Sequence, residues 1–158
     1  MTVPCGAQLP LPARRRSWYQ CGMGFWLLKA DPDDFGYTHL ERERRATWDG
    51  VANNLAQKHM RAARKGDLAL VYHTGSEKAV VGLARIVTDP YPDPAQKGSR
   101  HVVFDLQAQR RLARPVPLAA VRGEARFQDF PLVRMPRLSV IPVPAPLWKR
   151  LLQLAGEE

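Results

Sequence analysis

The order of periodic segments along this chain predicts an α+β fold, in which a mostly antiparallel sheet or a small barrel is flanked by short helices. Two observations carry the prediction. The segments run strand, helices, three strands, helix, strand, helix, and three successive strands joined by turns pair locally. No Gly-rich phosphate loop or Walker pattern joins a strand to a helix, which excludes a doubly wound nucleotide-binding sheet.

The 158 residues, 45% of them hydrophobic, suffice for one domain with a real core and are too few for two. No apolar run has the length of a membrane span, so a soluble, cytoplasmic protein without membrane association is expected. Lys and Arg number 24 against 15 Asp and Glu, a net charge of +9. That balance suits a polyanionic partner, nucleic acid being the commonest, or it reflects a compositional bias toward arginine with no partner implied. Both cysteines, Cys5 and Cys21, lie near the N-terminus, so residues 22–158 hold neither a disulfide nor a cysteine zinc site. His39, His59, His73 and His101 are not spaced as ligands, and neither a metal nor a cofactor is expected.

Residues 1–23 carry Pro4, Pro10, Pro12 and the run Arg14-Arg15-Arg16 without an acidic residue. They are expected to be a disordered extension, or to precede a true start at Met23, with the domain covering 24–156. Gly24-Phe25-Trp26-Leu27-Leu28-Lys29-Ala30 then reads as a largely buried strand stopped by Asp31-Pro32. A lysine at its end can lie along the core and lift its ammonium to a rim. Asp31 to Thr47 is polar and turn-rich, with one helical patch around Tyr37 to Arg44. Trp48 beside Asp49-Gly50 is expected in a loop, either as a lid on the core or at the lip of a pocket.

Asn53 or Asn54 caps the next helix, whose inner face is expected to be Leu55, Ala56, Met60 and Ala63. Its polar face would present Gln57, Lys58, Arg61, Arg64 and Lys65. Leu68 to His73 reads as a strand, with Leu68, Leu70 and Tyr72 on one face and His73 on the other. After a turn at Gly75, Ala79 to Val87 is a strand in which Gly82 marks a bulge or a close backbone approach. A proline-rich loop over Asp89 to Pro94 leads to a long strand starting at His101. A short helix over Pro117 to Gly123, an irregular turn around Phe127 to Pro131, an edge strand over Pro136 to Val143 and a closing helix from Pro146 complete the chain.

Five blocks in this order resemble the EVE domain family of the PUA-like superfamily, which is related to YTH domains. Trp26-Leu27-Leu28-Lys29-Ala30-Asp31-Pro32 resembles the family's W-L-x-K-S-E-P, and Trp48-Asp49-Gly50-Val51-Ala52-Asn53 resembles W-D-G-V-R-N. Gly66-Asp67 through Tyr72-His73-Thr74 is similar to G-D-x-x-x-x-Y-H-S. Val81-Gly82-Leu83-Ala84 with Pro90-Tyr91-Pro92-Asp93-Pro94 is similar to G-I-A … Y-P-D-P, and Arg137 to Val143 to R-L-S-V-x-P-V. The resemblance covers residues 25 to about 154. It implies a PUA-like, mixed and mostly antiparallel pseudo-barrel with a pocket that accepts a flipped, often modified, base of DNA or RNA, and it implies no catalysis. Three departures fall in pocket-forming blocks: Ala30 for the family's Ser, Ala52 for its Arg (with Gln57-Lys58 near a usual Arg-Asn), and Met135-Pro136 for a more polar Gln-Ser.

A flipped base needs a flat surface for its face and polar groups for its edge. Trp48 is the candidate for stacking, and Asn53 for edge reading or for the helix cap alone. Lys29, His73, Ser139 and the backbone at Ala30 are candidate rim or edge donors. Tyr72 and Leu138 would belong to the wall, Arg137 to a phosphate clamp or to a brace of the pocket through a carboxylate such as Asp49, and Lys58 and Arg61 to backbone phosphates. A small hydrolase acting on a modified nucleoside would use Lys29, Asp31 or Asp49, Tyr72 and Ser139. The third reading is a basic protein-interaction module. A monomer is expected.

Overall fold

Phe25–Ala30 (β1) carries no charge before Lys29, so both of its faces can be covered, and the sheet is assembled on it. The computed structural model describes residues 24–156 apart from 50, 52, 96, 97, 99 and 136. The expectations for residues 1–23, for Gly50 and Ala52 in the tryptophan loop, and for Pro136 lie outside the described residues. β1 runs parallel to β3 (Leu68–His73) on one side and antiparallel to β7 (Val140–Pro142) on the other. Beyond β3 follow β4 (Ala79–Ile86), the 16-residue β6 (Val102–Pro117) and β2 (Arg45–Trp48), while β5 (Tyr91–Pro92) pairs with the start of β6. The order is β2-β6-β4-β3-β1-β7, mixed and mostly antiparallel as expected. The sheet curls into a half-barrel, and α3 (Asn54–Ala62) packs against both β6 and β7.

The core lies inside this curl and is built from fully buried Leu27, Leu28, Leu70, Phe104, Leu106 and Ile141. Its far end is closed by α6 (Ala145–Leu154), whose Trp148 stacks on Phe25 with ring centroids 4.6 Å apart. Pro115 inside β6 would break a regular ladder. It is tolerated because the register with β4 jumps from Val80–Val116 to Gly82–Arg111, so that residues 112–115 have no ladder partner in β4. Arg114 in this bulge donates its backbone N–H to the Ala155 carbonyl at 3.1 Å, which satisfies one of the open carbonyls at the end of α6.

Four local expectations are corrected. Residues 31–48 hold two short helices, α1 (Pro32–Phe35) and α2 (Tyr37–Glu43), and then β2, so Trp48 ends a strand and does not sit in a loop. Four residues with exposed Arg45 and Thr47 give no periodic signal; β6 and the side-chain bonds described below hold them extended. The expected short helix after Pro117 is present as α4 (Leu118–Arg122), but a 3-10 turn (Ala125–Phe127) and α5 (Pro131–Arg134) replace much of the irregular turn around Phe127. The last strand is only Val140–Pro142. In α3, Ala56, Met60 and Ala63 are buried as expected, but Gln57 is buried with them and Leu55 is exposed. Asn53 is the cap, its Oδ1 accepting from Ala56 N at 2.9 Å. Among the described residues no helix is long and apolar enough to cross a membrane.

Candidate functional site

The C-terminal ends of β1 and β2 converge on a cleft of about 390 Å³ lined by Lys29, Ala30, Asp31, Phe35, Thr47, Trp48 and Asp49. Its floor follows from how β1 stops. Asp31 accepts a hydrogen bond from Asp33 N at 3.0 Å and caps α1, with Pro32 in the first turn. That single turn brings Phe35 round to the cleft. On the opposite wall Trp48 is half-buried, and its indole N–H is buried with no acceptor among the described residues. A buried donor without a partner costs about 1–3 kcal/mol; having no exposed surface, this N–H is not itself presented to the cleft. Lys29 is also half-buried, and desolvation holds its ammonium below the usual lysine range. The cleft thus combines a flat aromatic wall, a partly desolvated amine and the carboxylates of Asp31 and Asp49.

The strand that presents Trp48 is braced by Asp105 of β6. Its Oδ1 accepts from Tyr91 Oη at 2.7 Å and from Thr47 Oγ1 at 3.0 Å, and its Oδ2 from the Arg45 guanidinium at 3.1 Å. Burial alone would push this carboxyl up, but the hydrogen bonds from Tyr91, Arg45 and Thr47 outweigh it and hold it below the ordinary aspartate value. The folded form therefore binds its proton more weakly than the unfolded chain does. The resulting stability is fully present above the unfolded value near 3.8 and is lost as pH falls through the folded one. Unfolding followed by circular dichroism should show this loss below about pH 4. Asp105→Asn should flatten that part of the profile, and an unchanged acid limb would remove Asp105 as its source.

The remaining sequence candidates are divided between places. Asn53, Arg137 and Leu138 line a second cleft of about 410 Å³ together with Leu55 and Met135. Ser139 adjoins both regions through the backbone, its carbonyl accepting from Lys29 N at 2.9 Å. Asn53 is the cap of α3, a task that uses only Oδ1 and leaves its amide NH₂ group for other bonds. Lys58 and Arg61 are exposed on α3, and the Arg61 guanidinium donates to the Arg100 carbonyl at 2.7 Å.

Two expectations are corrected here. Tyr72 is buried, with its phenol pushed up by desolvation, and it does not line the Trp48 cleft. His73 is buried with both ring nitrogens engaged: Nε2 accepts from Tyr37 N at 2.8 Å, and Nδ1 faces Glu77 Oε1 at 2.8 Å. The first contact requires a bare Nε2, so the proton sits on Nδ1 and points to Glu77. This imidazole therefore satisfies an N–H at the start of α2 and is not a pocket donor. Ala30 does line the cleft, and its carbonyl accepts from Thr74 N at 2.9 Å. The strand pattern told which residues share a face, and β3 is covered on both faces, so Tyr72 and His73 face protein.

Phe35 and Thr47 were not anticipated in the cleft. Phe35 is the one aromatic between the end of β1 and Gly36, and the Asp31-Pro32 helix start could have located it. Gln57 was assigned to the solvated face, yet its amide bonds the Val51 carbonyl at 2.8 Å and both the N–H and the carbonyl of Val102, at 2.8 and 3.2 Å. It ties the segment after Trp48 to β6.

A family model described as "EVE domain" matches residues 24–154 of this chain. Thymocyte nuclear protein 1 of Danio rerio is 30% identical over 167 residues, which cover 84% of this chain and 72% of that protein. The chain spans 55% of the human and mouse proteins of the same name. Among solved structures, Rpa0253 from Rhodopseudomonas palustris superposes with a TM-score of 0.81 at 38% identity, covering 85% of this chain and 94% of its own. The human THYN1 protein, solved in complex with 5-methylcytosine-containing DNA, superposes with a TM-score of 0.74 at 26% identity, covering 86% of this chain and 99% of its own.

Proposed function

The chain belongs to the EVE domain family, and on that footing we propose that it binds nucleic acid by taking one flipped, modified base into the cleft between Trp48 and the end of β1. The observation that carries this reading is the Trp48 wall: a half-buried indole bordering a cleft that also holds Lys29. The indole face suits a base ring, and the Lys29 amine suits an acceptor on the base edge. The excess of Lys and Arg, with Lys58 and Arg61 exposed on α3, supplies attraction to the phosphate backbone. The complex of the human THYN1 protein makes DNA containing 5-methylcytosine the first ligand to test.

The domain is read as a binder and not as an enzyme. Lys29, Asp31 and Asp49 gather at the cleft, but Tyr72 and Ser139, which a nucleoside hydrolase would also need, do not line it. The test is a titration of labelled oligonucleotides, DNA and RNA, with cytosine or 5-methylcytosine at one position and over a range of salt. Trp48→Ala is expected to weaken binding of the preferred strand by about 1–3 kcal/mol, roughly 5- to 150-fold. Affinity should fall linearly with the logarithm of salt concentration for native protein and variant alike. Equal affinity for every strand, unaffected by Trp48→Ala, would overturn the reading. Release of free base or altered nucleoside from those strands would point to the hydrolase instead.

A further inference from the structure

Among the described residues, two large hydrophobic side chains are exposed, Leu55 at 36% and Met135 at 43%, and both line the second cleft. Their neighbours there are Leu138, buried in its floor, exposed Arg137 and the cap residue Asn53. Exposed apolar side chains scattered over a surface need no explanation, but two that converge on one concavity of about 410 Å³ do. This concavity is mostly apolar, is roomy enough for a heterocycle, and has an always-charged guanidinium among its lining residues. Ser139, next in sequence to Leu138, bonds backbone to backbone with Lys29 of the Trp48 cleft, and Asn53 lies five residues beyond Trp48.

We infer that this second cleft seats the face of a second nucleobase, the neighbour of the one held by Trp48 on the same strand. The inference rests on the proposed reading of the Trp48 cleft. Extracting one base from a strand leaves its neighbour with one face unstacked, and that face seeks an apolar surface. Leu55 and Met135 offer such a surface without hydrogen-bond demands, so the seat accepts any base. Arg137 has five donors in a planar fork, which suits the phosphate that joins the two nucleotides. A protein partner would need a larger and more contiguous apolar face than two side chains around one concavity.

The experiment uses the full chain and DNA strands that carry 5-methylcytosine with either a normal base or an abasic nucleotide on each side in turn. The native protein is expected to bind the strand with both neighbours present about tenfold more tightly than the strand lacking the seated neighbour. Met135→Gln and Leu55→Asn, both at exposed positions, should remove that tenfold advantage while leaving the affinity for the abasic strand unchanged. 2-Aminopurine placed at the seated position should brighten on binding, as an unstacked base does, and brighten less with either variant. If native protein binds normal and abasic strands alike while Trp48→Ala still weakens both, the second seat does not exist and the first cleft stands. If Trp48→Ala is silent as well, both readings fall together.

Discussion

Gly82→Ala is expected to lower the unfolding free energy by about 3–5 kcal/mol, at or beyond the upper end of what overpacking a core costs. A Cβ at Gly82 would lie 2.4–2.6 Å from three atoms of the Tyr37 ring, a separation that real Cβ atoms essentially never show. The ring cannot retreat, because Tyr37 is fully buried and its hydroxyl lies 2.7 Å from the Leu83 carbonyl and 2.8 Å from that of Arg110. One proton serves two carbonyl oxygens there, on either side of the shifted β4–β6 register, so moving the ring strands both. Burial, with the charge of Glu41, pushes this phenol up to about 12, and it stays protonated at any working pH. Denaturant unfolding of the native protein, Gly82→Ala, Tyr37→Leu and the double variant checks the argument. The double variant should be less destabilised than the sum of the two single ones, because the smaller side chain makes room for the methyl group. A Gly82→Ala protein within about 1 kcal/mol of native would show that β4 yields easily there.

Asp67→Ala is expected to cost about 3–4 kcal/mol, because one buried carboxylate serves three donors that no other acceptor reaches. Its Oδ1 accepts from Gly24 N at 3.0 Å, and its Oδ2 from Trp26 Nε1 and Arg64 N, each at 2.9 Å. These bonds tie the start of β1, the Trp26 indole and the turn after α3 to the first residue before β3. The approach is close enough that a Cβ on Gly24 would meet Asp67 Oδ2 at 2.6 Å, so Gly24 is bound to this site by space as well as by hydrogen bonding. Asp67→Asn is the informative control. It keeps the shape and at least one acceptor, but turns an NH₂ group toward an N–H donor, and should therefore fall between native and alanine variants. Thermal unfolding would show the order, and an alanine variant as stable as the asparagine variant would remove the three-donor account.

Some of this could be read from single segments. Gly82 stood inside an apolar strand, where a missing side chain signals close approach, and Tyr37 is what approaches. Asn53 before a periodic run is a cap, and the cap is made. The buried strand ending in Lys29 follows from an apolar run closed by Asp-Pro. The ordered blocks from Trp26 to Val143 carried the family, its PUA-like fold and the expectation of a nucleic-acid partner.

Other features depend on neighbours that no local pattern names. Gln57 looked solvated because it is polar, but its amide meets Val51 and Val102 only after β6 has been brought alongside α3. His73 looked like a donor at a strand end, until α2 placed the N–H of Tyr37 on its Nε2. β2 and β5 are too short to have a period and exist because β6 offers them a ladder and Asp105 offers them a shared carboxylate. Leu55 and Met135 are 80 residues apart in a sequence of 158, and nothing in either segment announces a common cleft.

The sequence by itself determined which segments are buried, where the main strands and α3 begin, and the family the chain belongs to. These follow from composition, capping and the order of motifs, which are properties of the chain alone. The tertiary structure alone decided that Trp48 ends a strand at the wall of a cleft, that Tyr72 and His73 turn inward, and that Asn53, Leu55, Met135, Arg137 and Leu138 share a second, apolar cleft. Periodicity fixes the face on which a side chain lies. Whether that face meets solvent, a ligand or another strand is fixed only when distant segments close on one another.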